Sequence, residues 1–314
     1  MPEFKKADPQ KTYDLLIIGG GPAGLTAAAY AIRKRIETIL LSEDLGGKTN
    51  YKFSLEGAET HFIIDGEELV GKFKSQLEYL DFARHLDTVT RFSKTGNIFE
   101  ATTKGGLMFK AKAAIIATGV MPRRLMVPGD DRLIGRGVSY SAVSHAPLFV
   151  GMDVAVVGQD AQALQAATEL ARIARKVYLI GVPAEYLHST LGEILHRSEN
   201  VEFLSDFEVK EIQGDTHVER ILVGSRVHRT EREIPVKGVF VTLGLLPGSA
   251  LFSHLVRTSP DGRIMINARN ETGVPGLFAA GDVTNVYSEQ VVIAIGEGAN
   301  AALAAYDYIL TAKQ

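Results

Sequence analysis

The sequence has 314 residues, a length that at about 150 per domain favours two domains over one. Lys and Arg number 34 against 37 Asp and Glu, a net charge of -3, and 46% hydrophobic with 23% charged residues is an ordinary globular balance. That charge argues against a nucleic-acid or anionic-membrane surface, and Cys 0 excludes a disulfide scaffold, a thiolate metal site and a cysteine nucleophile.

Residues 1–11 are polar and lack the apolar stretch of a secretory signal, and no run reaches transmembrane length, so a cytoplasmic protein without an integral membrane segment is expected. Leu15–Ile18 is a continuous apolar run followed by glycines and by a helical pattern over Ala27–Ile32: strand, turn, helix. Thr38–Leu41 supplies the parallel partner strand and ends in Ser42-Glu43-Asp44, completing a βαβ unit. Lys112–Gly119 reads as another buried strand. Met152–Gly158 then opens a second strand-turn-helix, followed by the strand Lys176–Ile180 and closed by Val239–Gly244. The chain returns through Gly276–Asp282 to an alanine-rich helix over Val291–Leu310. The expected fold class is α/β: two Rossmann-like, doubly wound domains of the three-layer ββα type, the second inserted in the first. Residues 1–122 and 248–314 form one and 123–247 the other, with crossings near Met121–Val127 and Gly244–Gly248.

Gly19, Gly21 and Gly24 form GxGxxG between strand and helix. The first permits the turn, the second lets backbone approach a pyrophosphate, and the third lets helix pack on strand. The helix N-terminus then offers positive charge to the phosphates, and Glu43 is placed to accept the ribose hydroxyls. A bound dinucleotide follows.

Gly19–Gly24 (GGGPAG, with Pro22 and Ala23), the turn Gly46-Gly47-Lys48, Ala117-Thr118-Gly119 and Thr272–Asp282 (TGVPGLFAAGD) together resemble the low-molecular-weight thioredoxin reductases across nearly the whole chain. The resemblance implies an FAD enzyme, with the discontinuous domain holding FAD and residues 123–247 forming a degenerate NAD(P)H-binding-like domain. It implies that Gly281 and Asp282 are the second FAD fingerprint, and that Gln290 and Val291 contact the flavin ring where the last helix begins. It also implies a homodimer and a thioredoxin-like protein partner.

Two departures bear on function. Where the family carries Cys-x-x-Cys, this chain has Ser141 and Ser144. A serine hydroxyl has neither the thiolate nor the two-electron couple of thiol exchange, so the dithiol step is expected to be dead. Family-like surroundings and the near-isosteric change at both positions favour engineered substitution over natural loss. His145, where relatives often carry an acid, is a candidate proton carrier or a structural histidine. The second departure is Gly158-Gln159-Asp160-Ala161-Gln162-Ala163, which keeps only the first glycine of a nucleotide loop and adds a carboxylate. Ile180–Glu185 then lacks the arginines that would grip a 2'-phosphate.

NADPH is therefore not expected, and the resemblance narrows to the pyridine-nucleotide-independent branch, whose donor is ferredoxin or a second flavin. The ferredoxin type ranks first, with one FAD per chain and room for a second. The rivals are a cysteine-free flavin oxidoreductase of the ferredoxin-NADP reductase or NADH oxidase type, and a flavin-holding partner module without turnover. The other histidines show no metal-ligand spacing, and neither a GxSxG elbow nor a P-loop is present. Arg123-Arg124 could steer an acidic partner but reads better as a solvated hinge.

Overall fold

Leu15–Ile18 does not alternate because it is buried on both faces, with no side chain more than 4% exposed. It ends β1 (Thr12–Ile18), an inner strand of a computed structural model that describes residues 7–51, 53–55, 66–79 and 83–312. After α1 (Pro22–Arg33) come β2 (Thr38–Ser42), α2 (Gly66–Tyr79), β3 (Ala83–Leu86), β4 (Val89–Thr95), β5 (Ile98–Thr103) and β6 (Met108–Ile116). The chain leaves by β7 (Val120–Pro122) and builds α3 (Asp130–Leu133), β8 (Val138–Ser139), α4 (Ala142–His145), β9 (Asp153–Gly158), α5 (Ala161–Ala171) and β10 (Lys176–Ile180). Next are α6 (Ala184–Leu187), α7 (Thr190–His196), β11 (Val201–Leu204), β12 (Phe207–Gln213), β13 (Arg220–Ser225), β14 (Glu231–Pro235) and β15 (Gly238–Thr242). It returns through β16 (Leu245–Pro247), which pairs with β7, and ends with β17 (Leu277–Ala279) and α8 (Val291–Thr311).

The first unit comprises the described residues up to 50, 66–121 and 246 onward. Its sheet runs β3-β2-β1-β6-β5-β4. On one edge β6 pairs in parallel with β1, Leu15 opposite Ala113 and Ile18 opposite Ile116. Its other edge is shared: the first half pairs antiparallel with β5, Ala111 opposite Phe99, and the last three residues pair in parallel with β17, Ile116 opposite Ala279. The period of two sorts the core into layers. Leu15 and Ile17 face the alanines of α1 and α8, whereas Leu16 and Ile18 face an aromatic cluster of Phe92, Phe99, Phe109 and Phe252.

The second unit comprises 122–245 with Tyr51 and Phe53–Leu55. Five parallel strands run β11-β10-β9-β15-β8, and β12-β13-β14 form a separate antiparallel sheet.

The α/β reading with Rossmann-like sheets is what the structure has. It differs in two details. The run expected as a strand over Lys112–Gly119 leaves the sheet after Ile116, and Gly119 turns the chain at φ +64°. The described residues near Phe53 also group with the second unit: Phe53 stacks on His145 with ring centroids 4.1 Å apart, and the Ser54 N–H donates to the Gly135 carbonyl at 2.7 Å.

Candidate cofactor site and serine pair

A Cβ on Gly19, whose φ is +113°, would sit 2.2 Å from the Ala117 carbonyl oxygen, and one on Gly24 would sit 1.9 Å from that of Gly19. These two glycines let strand, turn and helix close on one another. Gly21 differs, because a Cβ there would meet nothing within 4 Å. Gly21 is also the N-cap of α1, which has Pro22 in its first turn, no side-chain acceptor at its cap and no acidic residue. Uncapped N–H groups at the positive end of a 12-residue helix, beside open space, fit an incoming pyrophosphate.

The other fingerprint residues gather around that loop. The Gly46 N–H donates to the Gly20 carbonyl at 2.7 Å and the Gly47 N–H to Asp44 Oδ1 at 2.9 Å. A Cβ on Gly47 would lie 3.2 Å from Gly21 Cα, and one on Gly281 would lie 3.0 Å from Ala23 Cβ. Lys48 Nζ pairs with Asp282 Oδ2 at 2.5 Å, joining two segments far apart in sequence. The Ala117 N–H donates to Ile18, and Thr118 Oγ1 donates to the Gly248 carbonyl at 2.8 Å. Glu43 is exposed one residue past β2. Gln290 is the N-cap of α8 and Val291 its first residue. The structure thus brings together the three motif glycines, Gly47, Lys48, Ala23, Ala117, Gly281 and Asp282.

Two residues of this unit escape a sequence reading. Glu297 Oε2 accepts the Gly281 N–H at 2.7 Å, and Arg263 donates to the Asp282 carbonyl at 2.9 Å. Burial raises the Glu297 carboxyl above its ordinary range. A Gly-Glu-Gly interruption in an alanine-rich helix is the available signal for Glu297; Arg263 has none.

In the second unit Ser141 is the N-cap of α4. Its Oγ donates to Ser144 Oγ at 2.9 Å and accepts the Ser144 N–H at 3.3 Å. Ser139, 2% exposed, bonds the Ser141 carbonyl at 3.0 Å, the Ser141 N–H at 3.1 Å and His145 Nδ1 at 2.8 Å. With its single proton on the Ser141 carbonyl, Ser139 accepts from Nδ1–H and so selects that imidazole tautomer. Burial pushes His145 down to about 4, so at neutral pH the ring is uncharged. Two serines at the spacing of a dithiol and a neutral histidine therefore share one short turn. Arg124 is tied inward: its guanidinium reaches the Tyr140 hydroxyl at 2.9 Å and Asp131 at 2.5 Å, and Tyr140 donates to the buried Asp130 at 2.7 Å.

The degenerate loop has a distinct geometry. Asp160 is the N-cap of α5, and its Oδ1 accepts the N–H groups of Gln162 at 3.0 Å and Ala163 at 3.4 Å. The chain's own carboxylate thus holds the anion position that α1 leaves open. A Cβ on Gly158 would meet Thr242 Oγ1 at 2.3 Å and Ala163 Cβ at 2.6 Å, so this glycine serves internal packing.

The sequence matches the pyridine nucleotide-disulphide oxidoreductase family over residues 13–298. The chain belongs to that family. The family consists of FAD-binding flavoprotein enzymes. Among curated relatives, the chain is similar to a component of the alkyl hydroperoxide reductase of Staphylococcus epidermidis, 36% identical over 314 residues, covering 98% of this chain and 61% of the relative. It therefore spans about three fifths of the length of the curated relatives it matches. Solved structures with the same fold include thioredoxin reductase of Streptococcus pyogenes (TM-score 0.86, 32% identity, covering 96% of this chain and 99% of that one). Thioredoxin reductase of Giardia duodenalis is also similar (TM-score 0.84, 27% identity, covering 96% and 100%).

Proposed function

We propose that the chain is a thioredoxin-reductase-like FAD flavoprotein that takes electrons from a non-nicotinamide donor. The ferredoxin type is favoured over a second flavin, and the dithiol relay stops at Ser141 and Ser144. The observation that carries the reading is Asp160: a dinucleotide in the second unit needs the N–H groups of α5, and the Asp160 carboxylate already accepts two of them. An incoming pyrophosphate would have to displace that carboxylate against like-charge repulsion.

In the first unit the roles divide by chemistry. The first turn of α1 and Lys48 offer positive charge to the pyrophosphate, Glu43 accepts ribose hydroxyls, Asp282 accepts from the ribityl end, and Gln290 with Val291 borders the ring. When bound, FAD supplies a two-electron couple that can exchange with one-electron or two-electron partners. In the second unit Ser141 and Ser144 hold the positions where a dithiol would receive those electrons, and Ser139 fixes the neighbouring imidazole. We place the protein in the cytoplasm as a homodimer with a thioredoxin-like partner, to which no electrons pass through Ser141 and Ser144.

The test is anaerobic addition of NADPH or NADH to the FAD-loaded chain. The expected result is an unchanged flavin absorbance band that chemical reduction then bleaches, with the flavin-to-protein ratio choosing between ferredoxin and diflavin types. Rapid bleaching by NADPH overturns the reading of Asp160 and promotes a nicotinamide-linked flavin oxidoreductase.

A further inference from the structure

Adjacent residues of α8 touch both halves of the candidate cofactor cradle. Glu297 Oε2 accepts the Gly281 N–H at 2.7 Å and shares the proton of the fully buried Thr284 hydroxyl, 3.1 Å away, with the Gly281 carbonyl at 2.8 Å. Gly298 lies so close to the first turn of α1 that a Cβ would stand 2.1 Å from the Ala23 carbonyl oxygen. Only a glycine permits that approach, and in a helix interior it costs about 1 kcal/mol relative to alanine. One turn along, Asn300 Nδ2 donates to Asn270 Oδ1 at 2.7 Å, and Asn270 donates to the Ala279 carbonyl at 2.9 Å, holding the strand that leads into the Gly281-Asp282 turn. On the turn's far side Arg263, whose side chain is 11% exposed and paired with Asp261 and Glu289, donates to the Asp282 carbonyl.

The turn therefore has its N–H held by one charged side chain and its carbonyl by another, and neither partner is a fingerprint residue. A half-buried carboxylate without hydrogen bonds is costly, so this one is kept where the Gly281 N–H meets it.

We propose that Glu297 is a positioning residue for the cofactor: with Gly298 against Ala23, it fixes the Gly281-Asp282 turn at a set spacing from the N-terminus of α1, so the cradle is formed before FAD arrives. The inference rests on the reading of those segments as the FAD site. Preorganisation of this kind adds affinity by removing an ordering cost from binding.

The test is FAD titration of the flavin-stripped full chain, read by quenching of flavin fluorescence, alongside urea unfolding without FAD. Glu297→Ala is expected to weaken FAD about tenfold or more, the effect of one charge-assisted hydrogen bond. Glu297→Gln, which keeps an acceptor oxygen, is expected to stay within about threefold of the parent. Phe252→Leu, on the opposite face of the sheet, is expected to lower the urea midpoint and keep the parent affinity, separating positioning from general stability. Parent-like FAD affinity in Glu297→Ala, or equal losses in the Ala and Gln variants, overturns the proposal. If Glu297→Ala does not fold, Glu297→Asp decides, because it keeps the charge but falls one methylene short of the Gly281 N–H: a several-fold weaker FAD site supports the proposal and an unchanged one sinks it. A parent chain that takes up no FAD rejects the site reading itself, an outcome distinct from a parent that binds FAD and a Glu297 variant that binds equally well.

Discussion

Ser141 Oγ donates to Ser144 Oγ across 2.9 Å within one turn. Replacing both by cysteine is expected to give a chain that air or a mild oxidant converts to an intramolecular disulfide, because the two side chains already meet. Thiol titration and intact mass would show both thiols consumed and two hydrogens lost, while each single variant keeps its thiol. Two persistent free thiols after oxidation would reject the positions as a redox pair.

Asp160 gives a stability prediction independent of nicotinamide. Asp160→Ala removes the acceptor for the Gln162 and Ala163 N–H groups and is expected to destabilise the protein by about 1 kcal/mol, whereas Asp160→Gly is expected to cost only a few tenths. Equilibrium urea unfolding checks both. Neither variant should gain NADPH reduction of the flavin, since Ile180–Glu185 holds no arginine to await the 2'-phosphate.

His145 should make stability depend on pH. Its native value, pushed down by burial to about 4, lies below the value of about 6.5 in an unfolded chain. The unfolded state therefore binds the proton first as pH falls. The stability contributed by neutral His145 is fully present above about pH 6.5 and is lost between there and about pH 4, in total about 3 kcal/mol. Comparing urea midpoints of the parent and His145→Phe from pH 7 to pH 4.5 isolates this from carboxylate titration. A constant difference between the two across that range would place the imidazole in a wetter site.

Lys48 and Asp282 form a partly exposed pair, with the lysine side chain 45% exposed. Lys48→Ala is expected to weaken FAD retention about two- to fivefold, and more at low salt than at high salt. Lys48→Arg is expected to restore it. The flavin-to-protein absorbance ratio after desalting reads both, and an Ala variant with parent retention would remove Lys48 from the site.

What the sequence shows and what it hides divide by range. Leu15–Ile18 and the three motif glycines are legible because their constraints are local: burial on both faces removes alternation, and close backbone approaches admit only glycine. Asp160 is legible as a misplaced charge, but its cap bonds to Gln162 and Ala163 emerge only once α5 has formed. The stacking of Phe53 on His145 and the hold of Arg263 on the Asp282 carbonyl leave no local trace, since each joins segments whose proximity is a product of topology. The antiparallel strands β12–β14 carry mixed polar and apolar residues on a sheet with one wet face, and so give a weaker signal than the denser parallel core.

The edge of β6 that β17 completes, and the alanine face of α1 that α8 covers, are separated in synthesis from their partners by the entire second unit. A growing chain thus carries an open strand edge and a bare apolar helix face until Leu277–Ala279 and Val291–Thr311 emerge, while the sheet of the second unit can already close. Such non-local closure folds slowly and exposes the nascent first unit to edge-to-edge association. The interval between synthesis of β6 and synthesis of β17 is therefore the one in which that edge has no strand to complete it.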